Sequence, residues 1–112
     1  MNDIKLTLNI RDGLFTLNEG TLDALKRPRQ VQLLINVEKK MLVLRACGTD
    51  AAQAVVIPDE NVISTDISGR SLIKKISTQM EWNDQQTREC TGRYIPDYQA
   101  VCFDLSMVHL AQ

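Results

Sequence analysis

Residues 31–45 restrict the fold more than any other stretch. Val31, Leu33, Ile35 and Val37 alternate with Gln32, Leu34 and Asn36, and Met41-Leu42-Val43-Leu44 follows Glu38-Lys39-Lys40. Period-2 alternation marks a strand with one buried face, and two such runs around a polar turn make a hairpin. A turn on Lys39-Lys40 sets Val37 against Leu42, Ile35 against Leu44 and Leu33 against Ala46. That face is wholly apolar and belongs in the core. The reverse face carries Leu34, Met41 and Val43 among Asn36, Glu38 and Arg45. A half-apolar second face calls for cover by a helix or a partner chain, so Leu34, Met41 and Val43 are candidate interface residues.

The remaining elements fall around this hairpin. Ile4, Leu6, Leu8 and Ile10 alternate with polar residues, Asp12-Gly13 marks a turn, and Leu14, Phe15 and Leu17 form the return strand. Asn18 or Thr21 caps a short helix, about Thr21–Lys26, which Pro28 stops. Ala54–Ile57 reads as a strand ended by Pro58, and Val62–Ile67 as another. Ser68 is the expected cap of a stronger helix from Gly69 to Met80, with Leu72, Ile73, Ile76 and Met80 on its apolar stripe. Thr87–Ile95 and Gln99–Leu105 form a last hairpin around Pro96-Asp97. Its expected register pairs Tyr94, Gly92 and Cys90 with Gln99, Val101 and Phe103, and sets Glu89 against Asp104, a like-charge pair. Ser106 is expected to cap a final helical turn, Met107–Ala111.

The order strand, helix, hairpin occurs twice. Leu17-Asn18-Glu19-Gly20-Thr21-Leu22 precedes Ile67-Ser68-Gly69-Arg70-Ser71-Leu72 by fifty residues, and Leu42-Val43-Leu44 parallels Val101-Cys102-Phe103. The expected fold is α+β: one domain over residues 1–112, in two β-α-β-β-like halves near 1–57 and 58–112. Antiparallel sheet, in one piece or two, carries two helices. Such half-units are too small to be stable alone, so they must share a core.

Chemistry is sparse. With 44% hydrophobic residues and a net charge of −1, the composition is that of a soluble globular chain, and no apolar run is long enough for a membrane span. Met1-Asn2-Asp3-Ile4-Lys5 shows no secretory pattern. Cys47, Cys90 and Cys102 have neither disulfide nor zinc-ligand spacing and suit a reducing cytoplasm. His109 is the sole histidine. No glycine-rich phosphate loop is present, so neither cofactor nor metal is expected, and a non-enzyme is the expectation.

The basic residues are more suggestive. Lys26, Arg27 and Arg29 lie between the first helix and the central hairpin, Lys39 and Lys40 lie at its tip, and Arg70, Lys74 and Lys75 share a face of the second helix. Such clusters can neutralise phosphates, and the two helices could present them side by side. Tyr98, at a hairpin tip, is the aromatic expected to be exposed.

Leu25-Lys26-Arg27-Pro28, the Val31–Arg45 hairpin and Val101-Cys102-Phe103-Asp104-Leu105 resemble a loose pattern of small bacterial and phage-type proteins. The first half is faintly similar to AbrB-like transcription-factor domains, without their basic strand arm. The doubled architecture is similar to subdomains of DNA sliding clamps. The first pattern carries no catalytic motif and implies no particular activity; the basic residues and the half-apolar hairpin face point to a binding role, and two classes of partner stay open. One is nucleic acid, in a regulator or mobile-element accessory protein, held by the basic residues. The other is a protein, including a second copy in a homodimer, held on Leu34, Met41 and Val43.

Overall fold

The structure is a computed structural model, and it describes residues 3–48, 50–57 and 61–111. The chain runs β1 (Lys5–Asn9), β2 (Leu14–Asn18), α1 (Glu19–Ala24), β3 (Gln30–Asn36), β4 (Met41–Ala46), β5 (Val55–Val56), β6 (Ser64–Ser68), α2 (Arg70–Met80), β7 (Arg88–Ile95), β8 (Ala100–Asp104) and β9 (His109–Leu110). Single 3-10 turns follow β7 and β8, at Pro96–Tyr98 and Leu105–Met107. All pairings are antiparallel, and the strands form one continuous sheet in the order β5-β3-β4-β8-β7-β1-β2-β6, with β9 on β7. This is an α+β fold, with the expected doubled order of strand, helix and hairpin.

The inner face follows from the alternation. Leu6, Leu8, Phe15, Leu17, Val31, Leu42, Leu44, Ile67, Cys90, Val101 and Phe103 are buried and join one cluster with Leu22, Ile73 and Ile76 from the helices. Each fully buried aliphatic or aromatic side chain contributes roughly 1.5–3 kcal/mol, which is what holds a helix as short as α1. Asn18 caps α1 by accepting from the Thr21 N–H at 3.0 Å. The first turn thus begins at Glu19 rather than Thr21.

Both long hairpins are shifted by two residues from the expected register. Ile35 pairs with Leu42 and Leu33 with Leu44, because the turn is four residues wide, closing from the Lys40 N–H to the Val37 carbonyl. Val37 therefore sits in an exposed turn, not in the core. In the last hairpin Tyr94 pairs with Val101 and Gly92 with Phe103, and the 3-10 turn after β7 takes up the two residues. A two-residue shift preserves every side chain's face. It also removes the Glu89–Asp104 apposition.

Three further expectations are corrected. Ser68 does not cap α2: the cap position is Gly69, and no side chain accepts there. The strand Ala54–Ile57 is reduced to Val55–Val56. The C-terminal helical turn is instead the Leu105–Met107 3-10 turn followed by β9, where the Ala111 N–H donates to the Thr87 carbonyl at 2.9 Å. The carboxylate of Asp104, not Ser106, caps that turn.

Candidate binding surface

The eight expected basic residues do not form one patch. The Arg27 Nε donates to Asp23 at 2.7 Å and its Nη1 to the Val62 carbonyl at 2.7 Å, which ties the end of α1 to the segment before β6. Arg70 reaches across to the β1–β2 turn, donating to the Asp12 carbonyl at 3.0 Å. Both guanidinium groups are engaged in holding the fold. Helix α1 carries Glu19 and Asp23 and no basic residue, so the two helices do not present matching cations. Lys26 and Arg29 are exposed just past the end of α1.

A tie between α2 and the β3–β4 tip brings lysines of two distant segments toward one end. The Val37 carbonyl accepts from the Gln79 side chain on α2 and from the Lys40 N–H, and the Lys40 carbonyl accepts from the Leu105 N–H at 2.9 Å. These bonds tie α2 to the β3–β4 tip and to the turn after β8. Lys75 lies one helical turn before Gln79 on the same face of α2, toward Lys39 and Lys40, whereas Lys74 stands about 140° around the helix from Gln79, beside Ser77, Thr78, Glu81 and Trp82. All four are exposed, and among the described residues none makes an ion pair. Glu38 and Glu81 are the exposed acids nearest in sequence.

The outer face of the sheet changes character along its width. On β1, β2 and β6 the outward positions are Lys5, Thr7, Asn9, Thr16, Asn18, Ser64, Asp66 and Ser68, with Leu14 the one apolar residue. Thr16 donates to Asp66 at 2.5 Å across the β2–β6 pair. On β3, β4 and β8 the registers align Leu34, Val43 and Cys102 in one row, with Arg93 of β7 at its end. Leu34 is 42% exposed, while Met41, Val43 and Cys102 are half-buried. The neighbouring row holds Gln32, Arg45 and Ala100; there Arg45 donates to the Gln32 amide oxygen at 2.9 Å, and Gln32 to the Ala52 carbonyl at 2.8 Å. The expected interface residues thus share one sheet face. Arg45 and Arg93, exposed beside them, are absent from the sequence-based basic set. Their alternation with apolar neighbours was the available signal.

Elsewhere the titratable groups have structural uses. Arg88 is buried at the edge of the core, bonded to both carboxylate oxygens of Asp84 at 2.9 and 3.0 Å and stacked 4.5 Å from the Trp82 ring centroid. That bond holds the Asp84 carboxyl below the usual carboxylate range. The three residues latch the connection from α2 to β7, and nothing in their spacing announced it. Burial first, then the Asp104 charge, pushes the Cys90 thiol up to about 11, so it is a poor nucleophile. His109 is paired with Glu89 at 3.1 Å on the surface. A cavity of about 440 Å³ lies at the seam of the sheet, lined by Leu33, Val55, Ile67, Leu72 and the start of α2. Among the described residues no cluster of His, Cys, Asp and Glu could hold a metal ion, and no helix is long and apolar enough to cross a membrane.

No family model, curated protein or solved structure matches the chain.

Proposed function

We propose that the protein is a non-enzymatic nucleic-acid-binding protein that holds the phosphate backbone with Lys39, Lys40, Lys74 and Lys75. The observation that carries this is the Gln79–Val37 hydrogen bond, which brings the Lys75 side of α2 to the Lys39–Lys40 tip. Converging, unpaired cations raise the local potential where a near-neutral chain otherwise offers none. The non-enzyme reading is supported by the burial of Cys90, whose raised thiol is a poor nucleophile.

The test is titration of labelled DNA at two salt concentrations. Backbone binding falls steeply with salt, because each neutralised phosphate releases counterions. Lys39→Glu/Lys40→Glu/Lys74→Glu/Lys75→Glu should abolish it. A wild-type protein that fails to bind at low salt refutes the reading.

A second reading, docking of a protein or a second copy on Leu34, Met41 and Val43, is favoured by the change from polar to apolar along the outer face. Light scattering separates the two: a dimer that Val43→Lys splits into monomers supports this alternative.

We also propose that the two halves arose by internal duplication. Support comes from register. The β2–β6 pair centres on Thr16 and Asp66, fifty residues apart, and the β4–β8 pair on Val43 and Cys102, fifty-nine apart. Those are the offsets at which the two halves align in sequence.

A further inference from the structure

Resting on the equivalence of the two halves, we infer that the gap between β5 and β6 is a latch that closes, pairing Val56 with Asp66 and turning the sheet into an eight-stranded ring. The sheet runs from β5 at one edge to β6 at the other, and one cavity touches both edges through Val55, Ile67 and Ser68. The two edge strands are therefore neighbours across a gap. Their main-chain groups are set for pairing. The Ile57 N–H donates to the Arg29 carbonyl at 2.7 Å, and the Gly69 N–H to the Gly13 carbonyl at 2.9 Å. Bonding groups alternate in direction along a strand, so the odd-numbered residues here bond to β3 and β2. The N–H and C=O of Val56 and of Asp66 point into the gap from its two sides.

The first half holds the same junction closed. Leu6 pairs with Cys90 on β7 and with Leu17 on β2. Val55, at the equivalent place, pairs with Val31 on β3, and among the described residues no ladder joins it to Ile67. At the end of the closed junction, the Asn18 Oδ1 accepts from the Lys5 N–H at 3.1 Å and the Thr21 hydroxyl donates to the Lys5 carbonyl at 3.0 Å. Ser68 and Ser71 stand in those two places beside the cavity, and among the described residues their hydroxyls have no partner. Ala54 stands where Lys5 does, so its main chain is what the two serines grip on closing. Leu6 and Leu22 are buried in the first half, whereas Val55 and Leu72 are only half-buried in the second. Closing covers both, takes up the cavity and removes two free edges that otherwise invite pairing with other chains. The far end of the gap is already pinned: the Arg27 Nη1 holds the Val62 carbonyl at 2.7 Å, beside the Arg29–Ile57 bond. Movement is needed only at the Ala54–Ser68 end.

Residue-resolved amide exchange tests the latch. Ser68→Asn/Ser71→Thr copies the grip of the closed junction and should slow exchange at Ala54, Val56 and Asp66 at least tenfold, with Thr7 and Thr16 unchanged. Val56→Cys/Asp66→Cys, at two exposed positions, should form a disulfide within one chain under mild oxidation, because closing brings their Cα atoms to about 5.5 Å. Unchanged exchange in the first variant, or failure of positions 56 and 66 to cross-link within one chain, overturns the latch. A disulfide that joins only two separate chains overturns it as well and assigns the edges to a second copy. Asn18→Ser separates the latch from the equivalence on which it rests. Quickened exchange at Lys5, with no response to Ser68→Asn/Ser71→Thr, overturns the latch alone, and no response to either change overturns both.

Discussion

The segment from β2 to β4 and the segment from β6 to β8 share a backbone frame but fill it differently. Both hairpins close with the same bond and end on a left-handed residue: the Lys40 N–H reaches Val37 with φ 54°, and the Gln99 N–H reaches Pro96 with φ 48°. Both helices end in the same double closure, Arg27 to Leu22 with Lys26 to Asp23, and Trp82 to Ser77 with Glu81 to Thr78. Yet α1 has six residues and α2 has eleven, and only α2 reaches the tip of the other segment's hairpin. Inside, the cross-strand pair Leu33–Leu44 stands where the second hairpin has Gly92–Phe103. Main-chain closure is therefore held in common, while side chains are exchanged as long as the volume between strands is kept.

Exchanging that volume gives the largest expected effect. A Cβ on Gly92 would lie 2.5 Å from the Phe103 ring and 2.8 Å from Val101. Gly92→Leu should destabilise by about 3 kcal/mol through overpacking. Phe103→Leu alone should cost roughly 1–2 kcal/mol through the space it leaves. The double variant copies the first hairpin's pair and should recover most of the loss, since contacting sites couple by about 0.5–3 kcal/mol. Urea unfolding of the four proteins checks this. A double variant no more stable than the sum of the singles breaks the correspondence.

This exchange also explains what the sequence concealed. Leu33 and Gly92, or Leu44 and Phe103, share no identity to align, so the shared frame is visible in pairing rather than in residues. The alternation of Val31–Leu44 did reveal strand, face and core, because burial fixes parity. Register was misplaced by two residues because the closing left-handed residues are Lys40 and Gln99, not the glycine or asparagine that usually signals them. For the site, exposure of Leu34 and Tyr98 was legible from pattern. That Arg27 and Arg70 are consumed by backbone carbonyls was not, since those partners lie 35 and 58 residues away.

The length difference between the helices has its own test. Gln79→Ala removes the bond that α2 makes to Val37 and α1 has no means to match. The expected loss is about 1 kcal/mol for a bond between neutral groups. Amide exchange should quicken at the β3–β4 tip and stay unchanged at the β7–β8 tip. Equal quickening at both tips would show that α2 does not brace the hairpin.

Cys90 occupies the place that Val31 holds in the first hairpin, and both are fully buried. Its thiol is raised from the ordinary value of 9.0 to about 11 by burial and then by Asp104. The native state thus holds this proton more tightly than the unfolded chain does. The thiol's contribution to stability is complete below pH 9 and is lost between about pH 9 and 11. Cys90→Val should fold, because its counterpart is valine, and should flatten the alkaline limb of the stability curve. At pH 8, Cys47 and Cys102, both half-buried, should react with a thiol reagent well before Cys90.

The smallest effect probes the two turns themselves. Lys40 and Gln99 each sit in left-handed backbone, which costs a residue with a Cβ roughly 1–2 kcal/mol relative to the right-handed form. Glycine enters that region freely but gives up more unfolded-chain entropy, so part of the gain is returned. Lys40→Gly and Gln99→Gly should each stabilise by about 0.5–1 kcal/mol, a rise in Tm of roughly 4 °C. Both side chains are exposed, so packing does not enter the comparison. Two turns built on one frame must respond with the same sign and similar size, and the double variant should be additive because the tips belong to opposite ends of the β4–β8 pair. A gain at one turn and a loss at the other would show that their shared closure is a coincidence of local geometry.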